Sequence, residues 1–441
     1  MFANALHPGK RVRRAVGALV VPLALAGLSA PSFAAILVPV DYSSVGDALL
    51  HAYAGDSVLV ACGTYLESGL VLRPGVTLLS EAGDPSCVTI EGGYEGSIIT
   101  CANGTEVARL GGLTLAHGGW LEQLSQRGGG INARNCSIEI RNCQFEEDFG
   151  GDKGGAIYAE GATLEIMASE FHANQGTGAL DGGGEGGAIA CYLSTLGIEG
   201  CLFFDNCADH NLGGSGGAIF ANRSAVDIVD SEFVGNWTYG VAGAIYALNS
   251  ASVHADGTLF MENRGGYFAS CIGGGGSLDM VGCLVVTAAS NISSISEIHM
   301  GPSETLLVSQ STFVALGTPY DSAILSGGVD PQIINSLFIV TEGMKAYGWA
   351  SAVPSFECCN IYSSAGDAWV DSYADQLGVN GNIEADPQFC GIPGSGNYYL
   401  QSDSPCAPAN NSCGELIGAL PVNCDTVTTQ ETSMSAIKSL Y

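Results

Sequence analysis

The chain has 441 residues, 46% hydrophobic and only 13% charged, which is too apolar for disorder and long enough to bury a large core. Its 14 basic residues face 44 acidic ones, a formal net charge of −30 that argues against nucleic acid or an anionic membrane surface as partner. Length alone would suggest two or three domains.

Residues 1–34 read as a secretory signal. Lys10, Arg11, Arg13 and Arg14 precede an apolar run over 15–30, and Ser32 and Ala34 are small enough for cleavage before Ala35. The run is short for a membrane span. Its removal takes away four positive charges and no acids, so the mature charge moves from −30 to −34. All 16 cysteines follow it, and in an exported chain they predict disulfides. Close pairs are Cys87/Cys101, Cys136/Cys143, Cys191/Cys201, Cys271/Cys283 and Cys413/Cys424; adjacent Cys358 and Cys359 should have different partners. No Cys-x-x-Cys pair points to zinc.

An N-terminal cap helix is expected within 35–57. Over 41–55, Val45, Ala48, Leu49 and Ala52 fall on one helical face, Ser44-x-x-Asp47 resembles a capping box and Gly55 ends the pattern. Such a helix would cover the open edge of a first rung. Short strands follow at Val58-Leu-Val, Gly75-Val-Thr-Leu-Leu, Val88-Thr-Ile and Ser97-Ile-Ile, each ended by Gly, Pro or Asp.

Residues 128–263 repeat one unit five times. Glycine- and alanine-containing corners precede Ile131, Ile157, Ile189, Ile219 and Ile245, and Phe145, Phe171, Phe203, Phe233 and Phe260 follow at separations of 14, 14, 14, 14 and 15. The return from Phe to the next Ile varies, at 12, 18, 16 and 12 residues, so loops of changing length leave from one side. Within the fixed segment Ile138/Ile140, Leu164/Ile166, Leu196/Ile198 and Val226/Ile228 alternate with polar positions, the period of strands. Asn174, Asn206, Asn236 and Asn263 stand three residues after Phe, with Asp148 in the first copy, and predict an inward ladder at a turn. A unit of this size cannot bury its apolar edge alone, and stacking copies gives a solenoid. The fold expected is all-β: a single parallel β-helix over 58–385, about a dozen rungs and on the order of 60 Å long at ~4.8 Å per strand. Beyond Asn263, Ser311-Thr-Phe313 and Ser336-Leu-Phe338 keep the signature.

The paired Gly-Gly-Ala-Ile and Phe-x-x-Asn motifs resemble the repeats of the polymorphic outer-membrane protein family of surface adhesins and autotransporters, without a segment suggesting their membrane barrel. Val58-Leu-Val-Ala-Cys-Gly-Thr-Tyr65 and Gly112-Leu-Thr-Leu115 resemble the opening rungs of secreted right-handed β-helix proteins with the pectin-lyase-like fold. Asp386-Pro-Gln-Phe389, Tyr399-Leu-x-x-x-Ser404-Pro-Cys406 and Ile417-Gly-Ala-Leu420 resemble their closing segment, which implies a cysteine-rich cap over the last rung at 386–424, holding Cys390, Cys406, Cys413 and Cys424. A Thr-rich linker and short tail occupy 425–441.

For chemistry, the loops leaving after each Phe carry Asp181, Glu185, Asp205, Asp209 and His210 beside Trp237 and Tyr239, a set suited to a sugar chain or Ca²⁺. No polygalacturonase-type trio of acids and histidine is present, and bases are scarce: three lysines and seven arginines after the signal. The expectation is therefore a non-enzymatic, monomeric surface or adhesin-like protein, exported to the bacterial surface or outer membrane, without catalytic residues or a metal. It would bind a carbohydrate or surface-protein ligand, and its loops would also suit Ca²⁺. The alternative is a polysaccharide lyase or other carbohydrate-active enzyme using the loop face.

Overall fold

The computed structural model describes residues 34–424, except 121–126, 179–182, 209–212, 268, 289–295, 302–304, 317–321, 328–329, 341–344, 349–352 and 392–395. The signal segment up to residue 33 and the tail from 425 lie outside the described residues.

Glycine corners and alternating apolar residues wind the chain into a right-handed parallel β-helix. Among the described residues it has three long parallel sheets of 11, 13 and 12 strands and a short fourth sheet of 4. We name the first three after what they carry: the Ile sheet, the middle sheet and the Phe sheet. In the Ile sheet, Ile131, Ile157, Ile189, Ile219, Ile245 and Ile272 lie in register on consecutive rungs. In the Phe sheet, Phe145, Phe171, Phe203, Phe233 and Phe260 do the same. Their rings stack at centroid distances of 4.6, 4.6, 4.6 and 5.2 Å. The identical side chains thus repeat at the inter-strand spacing and fill one continuous core.

The asparagine ladder closes the turn after the Phe sheet. Each buried Nδ2 donates to the carbonyl of the Phe one rung back: Asn174 to Phe145, Asn206 to Phe171, Asn236 to Phe203 and Asn263 to Phe233, at 2.7–2.9 Å. Each Oδ1 accepts the backbone N–H of the preceding ladder residue at 3.0–3.1 Å. A buried turn otherwise short of partners is satisfied by its own side chains.

Cysteine serves two purposes. Cys143, Cys201, Cys283 and Cys359 occupy the small inward position before the Phe column, where Ser169, Ser231, Ser311 and Ser336 stand in other rungs. Burial pushes the Cys143, Cys283 and Cys359 thiols up to about 12, so they pack as small apolar groups. The disulfides join Cys62 to Cys87, Cys358 to Cys413 and Cys390 to Cys424. Cys358 and Cys359 do part company, whereas Cys413 and Cys424 bond elsewhere than to each other. Cys406 accepts a hydrogen bond from Asn360 instead.

Both ends differ in detail from the expectation. The helix occupies only Val45–His51, and Ala35–Val38 is a strand that pairs with Ser57–Val60. Ser44 Oγ accepts the Asp47 N–H at 3.1 Å, and Glu67 accepts the N–H groups of Val45 and Gly46 at 2.8 and 2.7 Å, so two side chains cap one short helix. At the far end, Trp369 and Tyr373 pack on Phe356, each with centroids 5.4 Å away. The segment expected over the last rung instead lies along the flank of the Phe sheet. There Phe389, Leu400 and Ile417 bury the outward-facing Met261, Val314 and Leu337. Ala419 donates to Thr312 Oγ1 at 2.8 Å and Gly418 to the Asn335 carbonyl at 2.7 Å.

Candidate functional site

Of the loop residues singled out in the sequence, the described ones, Glu185, Asp205 and the pair of Trp237 and Tyr239, lie at separate places on the coil. Asp181, Asp209 and His210 lie outside the described residues. Trp237, in the short fourth sheet, meets Tyr239 just beyond it edge to face, centroids 5.4 Å apart. Asp205 sits at a left-handed turn (φ 52°) closing the Phe sheet, and burial pushes its carboxyl up against the opposing pull of the His172 and Arg264 charges. Glu185 stands elsewhere, on the flank of the Ile sheet, in an ion pair with Lys153.

That flank brings together what the chain has least of. Arg127, Lys153, Glu185, Ser215 and Val241 bridge one another on successive rungs, just before the Ile sheet begins. Alongside them the Ile sheet turns Tyr158, Tyr192, Phe220 and Tyr246 outward, with successive ring centroids 5.8, 5.6 and 6.1 Å apart. The cations lie over this aromatic row. The guanidinium carbons of Arg127 and Arg134 are 5.1 and 5.3 Å from the Tyr158 ring centre, and Lys153 Nζ is 4.8 Å from that of Tyr192. Three of the ten basic residues beyond position 34 therefore converge on two tyrosines.

The hydrogen bonds are directional. Arg127 Nη1 donates to the Tyr158 hydroxyl at 3.0 Å, which in turn donates to Glu160 Oε2 at 3.1 Å. Lys153 Nζ donates to the Tyr192 hydroxyl at 2.6 Å and to Glu185. Arg127 Nε also faces Asp152 Oδ1 at 3.8 Å. Burial pushes the Tyr158 phenol up, with Arg127 pulling the other way and Glu160 reinforcing the rise, so Tyr158 keeps its proton at neutral pH. Burial likewise pushes the Asp152 carboxyl up, against Lys153 and Arg127. Each phenol is therefore paired with a cation from the rung before it, and the two phenols are neighbours. On the outer face of the middle sheet Arg109 and Arg141 pair with Glu139, and further along Glu165, Asp227 and Asp279 project, with His254 Nδ1 3.2 Å from Asp279 Oδ2.

The signal for the cationic flank was present in the sequence. Arg127, Lys153 and Glu185 each precede their rung's isoleucine by four residues, and Tyr158 and Tyr192 follow theirs by one and three. Aligning the repeats on isoleucine, rather than reading acids loop by loop, lays these residues side by side.

Among the described residues no group of three or more His, Cys, Asp or Glu side chains is arranged to hold a metal ion, and no helix is long and apolar enough to cross a membrane. No protein-family model matches the chain, and no curated protein matches it. Among solved structures it is similar to the PL6 family alginate lyase AlyGC, with 13% identity, a TM-score of 0.44, and 90% of this chain covering 58% of that one. A point mutant of the same lyase gives the same values. It is also similar to the catalytic domain of a GH87 alpha-1,3-glucanase in complex with nigerose, with 10% identity, a TM-score of 0.37, and 76% of this chain covering 65% of that one. The chain thus spans less than two thirds of the length of either. Both are carbohydrate-cleaving enzymes, and on that finding the expectation of a non-enzymatic, adhesin-like protein is corrected. At such identities no catalytic residue is carried over, and any assignment rests on the side chains described above.

Proposed function

We propose that this β-helix is a carbohydrate-active enzyme that cleaves an acidic polysaccharide by β-elimination on the Arg127–Lys153 flank. The observation that carries the reading is the pairing of two adjacent phenols, Tyr158 and Tyr192, each with its own cation, in a chain of net charge −30. Elimination at a uronic acid requires a cation to neutralise the sugar carboxylate, a base for the proton α to it and an acid for the leaving oxygen. Arg127 and Lys153 supply the positive charge. Tyr192, beside the Lys153 ammonium, is the residue suited to take the C5 proton as phenolate. The C5–H electron pair becomes the C4=C5 double bond, the C4–O bond breaks, and the departing oxygen takes the Tyr158 proton. Solvent exchange then returns both phenols to their starting states. Glu185 positions Lys153, and the partly exposed rings of Tyr192 and Tyr246 offer apolar faces to the sugar, over the buried Tyr158 and Phe220. The same reading fits an exported enzyme, as the segment 1–34 would direct, meeting its polymer outside the cell.

The test is incubation of the mature chain with a panel of polyuronates, with and without Ca²⁺, while ultraviolet absorbance follows unsaturated ends. Product is expected from at least one polymer. Lys153→Ala and Tyr192→Phe should each lower its rate by about 10²-fold or more, the scale of a lost acid–base group. Absence of unsaturated product from every polyuronate overturns the reading.

A further inference from the structure

Three rungs along the rod from Lys153 the same loop side carries a second, different surface. Val241 is joined back to Lys153 through the bridges to Ser215 and Glu185. Two residues before it stands Tyr239, 57% exposed, and on the next rung Tyr267, 62% exposed. Trp237 meets Tyr239 edge to face, and the Tyr267 N–H donates to the Gly240 carbonyl at 2.9 Å.

Between these rings the surface is bare backbone. A Cβ at Gly240 would lie 2.0 Å from the Gly214 carbonyl oxygen and one at Gly266 2.0 Å from that of Tyr239, so neither position admits a side chain. The buried Thr238 hydroxyl fixes this floor, accepting the N–H groups of Gly214 and Gly240 at 3.2 and 3.1 Å while donating to the Ala208 carbonyl at 2.6 Å. A rigid, flat floor with large exposed rings standing on it does not arise from core packing, which would bury those rings.

We infer that Trp237, Tyr239 and Tyr267 form a glycan-binding platform that grips the polysaccharide chain about 14 Å from Lys153, at ~4.8 Å per rung. The inference rests on the proposed function for the identity of the polymer. A protein partner fits poorly: three rings of about 150–250 Å² each fall short of the roughly 800 Å² per side of a stable interface. Pyranose rings, with one apolar face each and an axial repeat along a polymer, match both the rings and the distance.

The experiment compares wild type with the Tyr239→Ala/Tyr267→Ala double variant, whose two side chains are exposed, so that circular dichroism should report an unchanged fold. Affinity for polyuronate is read by gel retardation, and turnover is read on the polymer and on a uronate trisaccharide. The double variant should bind polymer at least tenfold more weakly and raise its KM accordingly, with trisaccharide turnover unchanged. Polymer affinity retained by the double variant overturns the platform and leaves the elimination reading standing. Binding lost in the double variant, in a protein that yields no unsaturated product, upholds the platform and overturns the elimination reading. A wild type that binds no polyuronate overturns both.

Discussion

Phe203→Ala is expected to destabilise the protein by about 3–5 kcal/mol, the cost of emptying a filled aromatic site in a core. Phe203 is fully buried, with Phe171 and Phe233 stacked on its two faces at 4.6 Å. The hole cannot close, because backbone hydrogen bonds on either side hold the rungs at strand spacing. The loss therefore includes both the transfer free energy and the cavity left between two rings. Thermal melting followed by circular dichroism checks it, with Phe204→Ala as comparison, since Phe204 is only half-buried on the outside of the same strand. A melting temperature unmoved by Phe203→Ala would remove the stack from the account of stability.

Asp148→Asn is expected to act in the opposite sense. Asp148 is the first member of the asparagine ladder and is fully buried; its Oδ1 accepts the Gly118 N–H at 2.7 Å, while its Oδ2 has no hydrogen-bond partner. In each later rung that second atom is an Nδ2 donating to the carbonyl of the aromatic residue one rung back, and register puts Leu115 in that place here. An ionised Asp148 would set oxygen against oxygen, so the carboxyl must carry a proton to complete the pattern. Burial pushes its pKa well above the ordinary value, with Glu91 and Glu146 adding to the rise and only the Gly118 N–H opposing it. The folded-state value is raised, so this contribution is fully present below the ordinary carboxylate range and is lost as pH rises through the folded value. Asn supplies the missing hydrogen at every pH. The variant should gain about 1.4 kcal/mol on wild type for each pH unit above the ordinary carboxylate range, the cost to wild type of taking up a proton on folding, and its melting temperature should vary less with pH. A variant no more stable than wild type at pH 8 would show that Asp148 is satisfied as it stands.

The repeat was legible because its signal is redundant. Ile131 through Ile245 and Phe145 through Phe260 keep nearly constant separations, so one register explains many residues at once, and the structure sets each over the next. The Asn ladder followed from the same logic. Corners built on non-glycine residues were not legible: Ala168 and Leu193 adopt positive φ of 46° and 51°, which nothing in their side chains announces. The cationic flank escaped a reading that followed acids through the loops, because its members belong to three different rungs. Only the shared offset from isoleucine unites them. The path of the C-terminal segment was hidden for another reason. Its partners are outward-facing residues such as Met261 and Val314, and an apolar residue on a strand does not say which face covers it.

That covering has a consequence for how the protein is made. The apolar stripe running from Val234 to Ile339 on the outside of the Phe sheet is roofed by residues that arrive much later in synthesis, and Thr312 waits 107 positions for Ala419. Early coils can settle against one another as they emerge, but the later ones must stand with an oily side open to water until the stretch from Phe389 to Ala419 has been delivered. The stretch from Phe389 to Ala419 is therefore a roof the growing rod needs before it can safely be left alone.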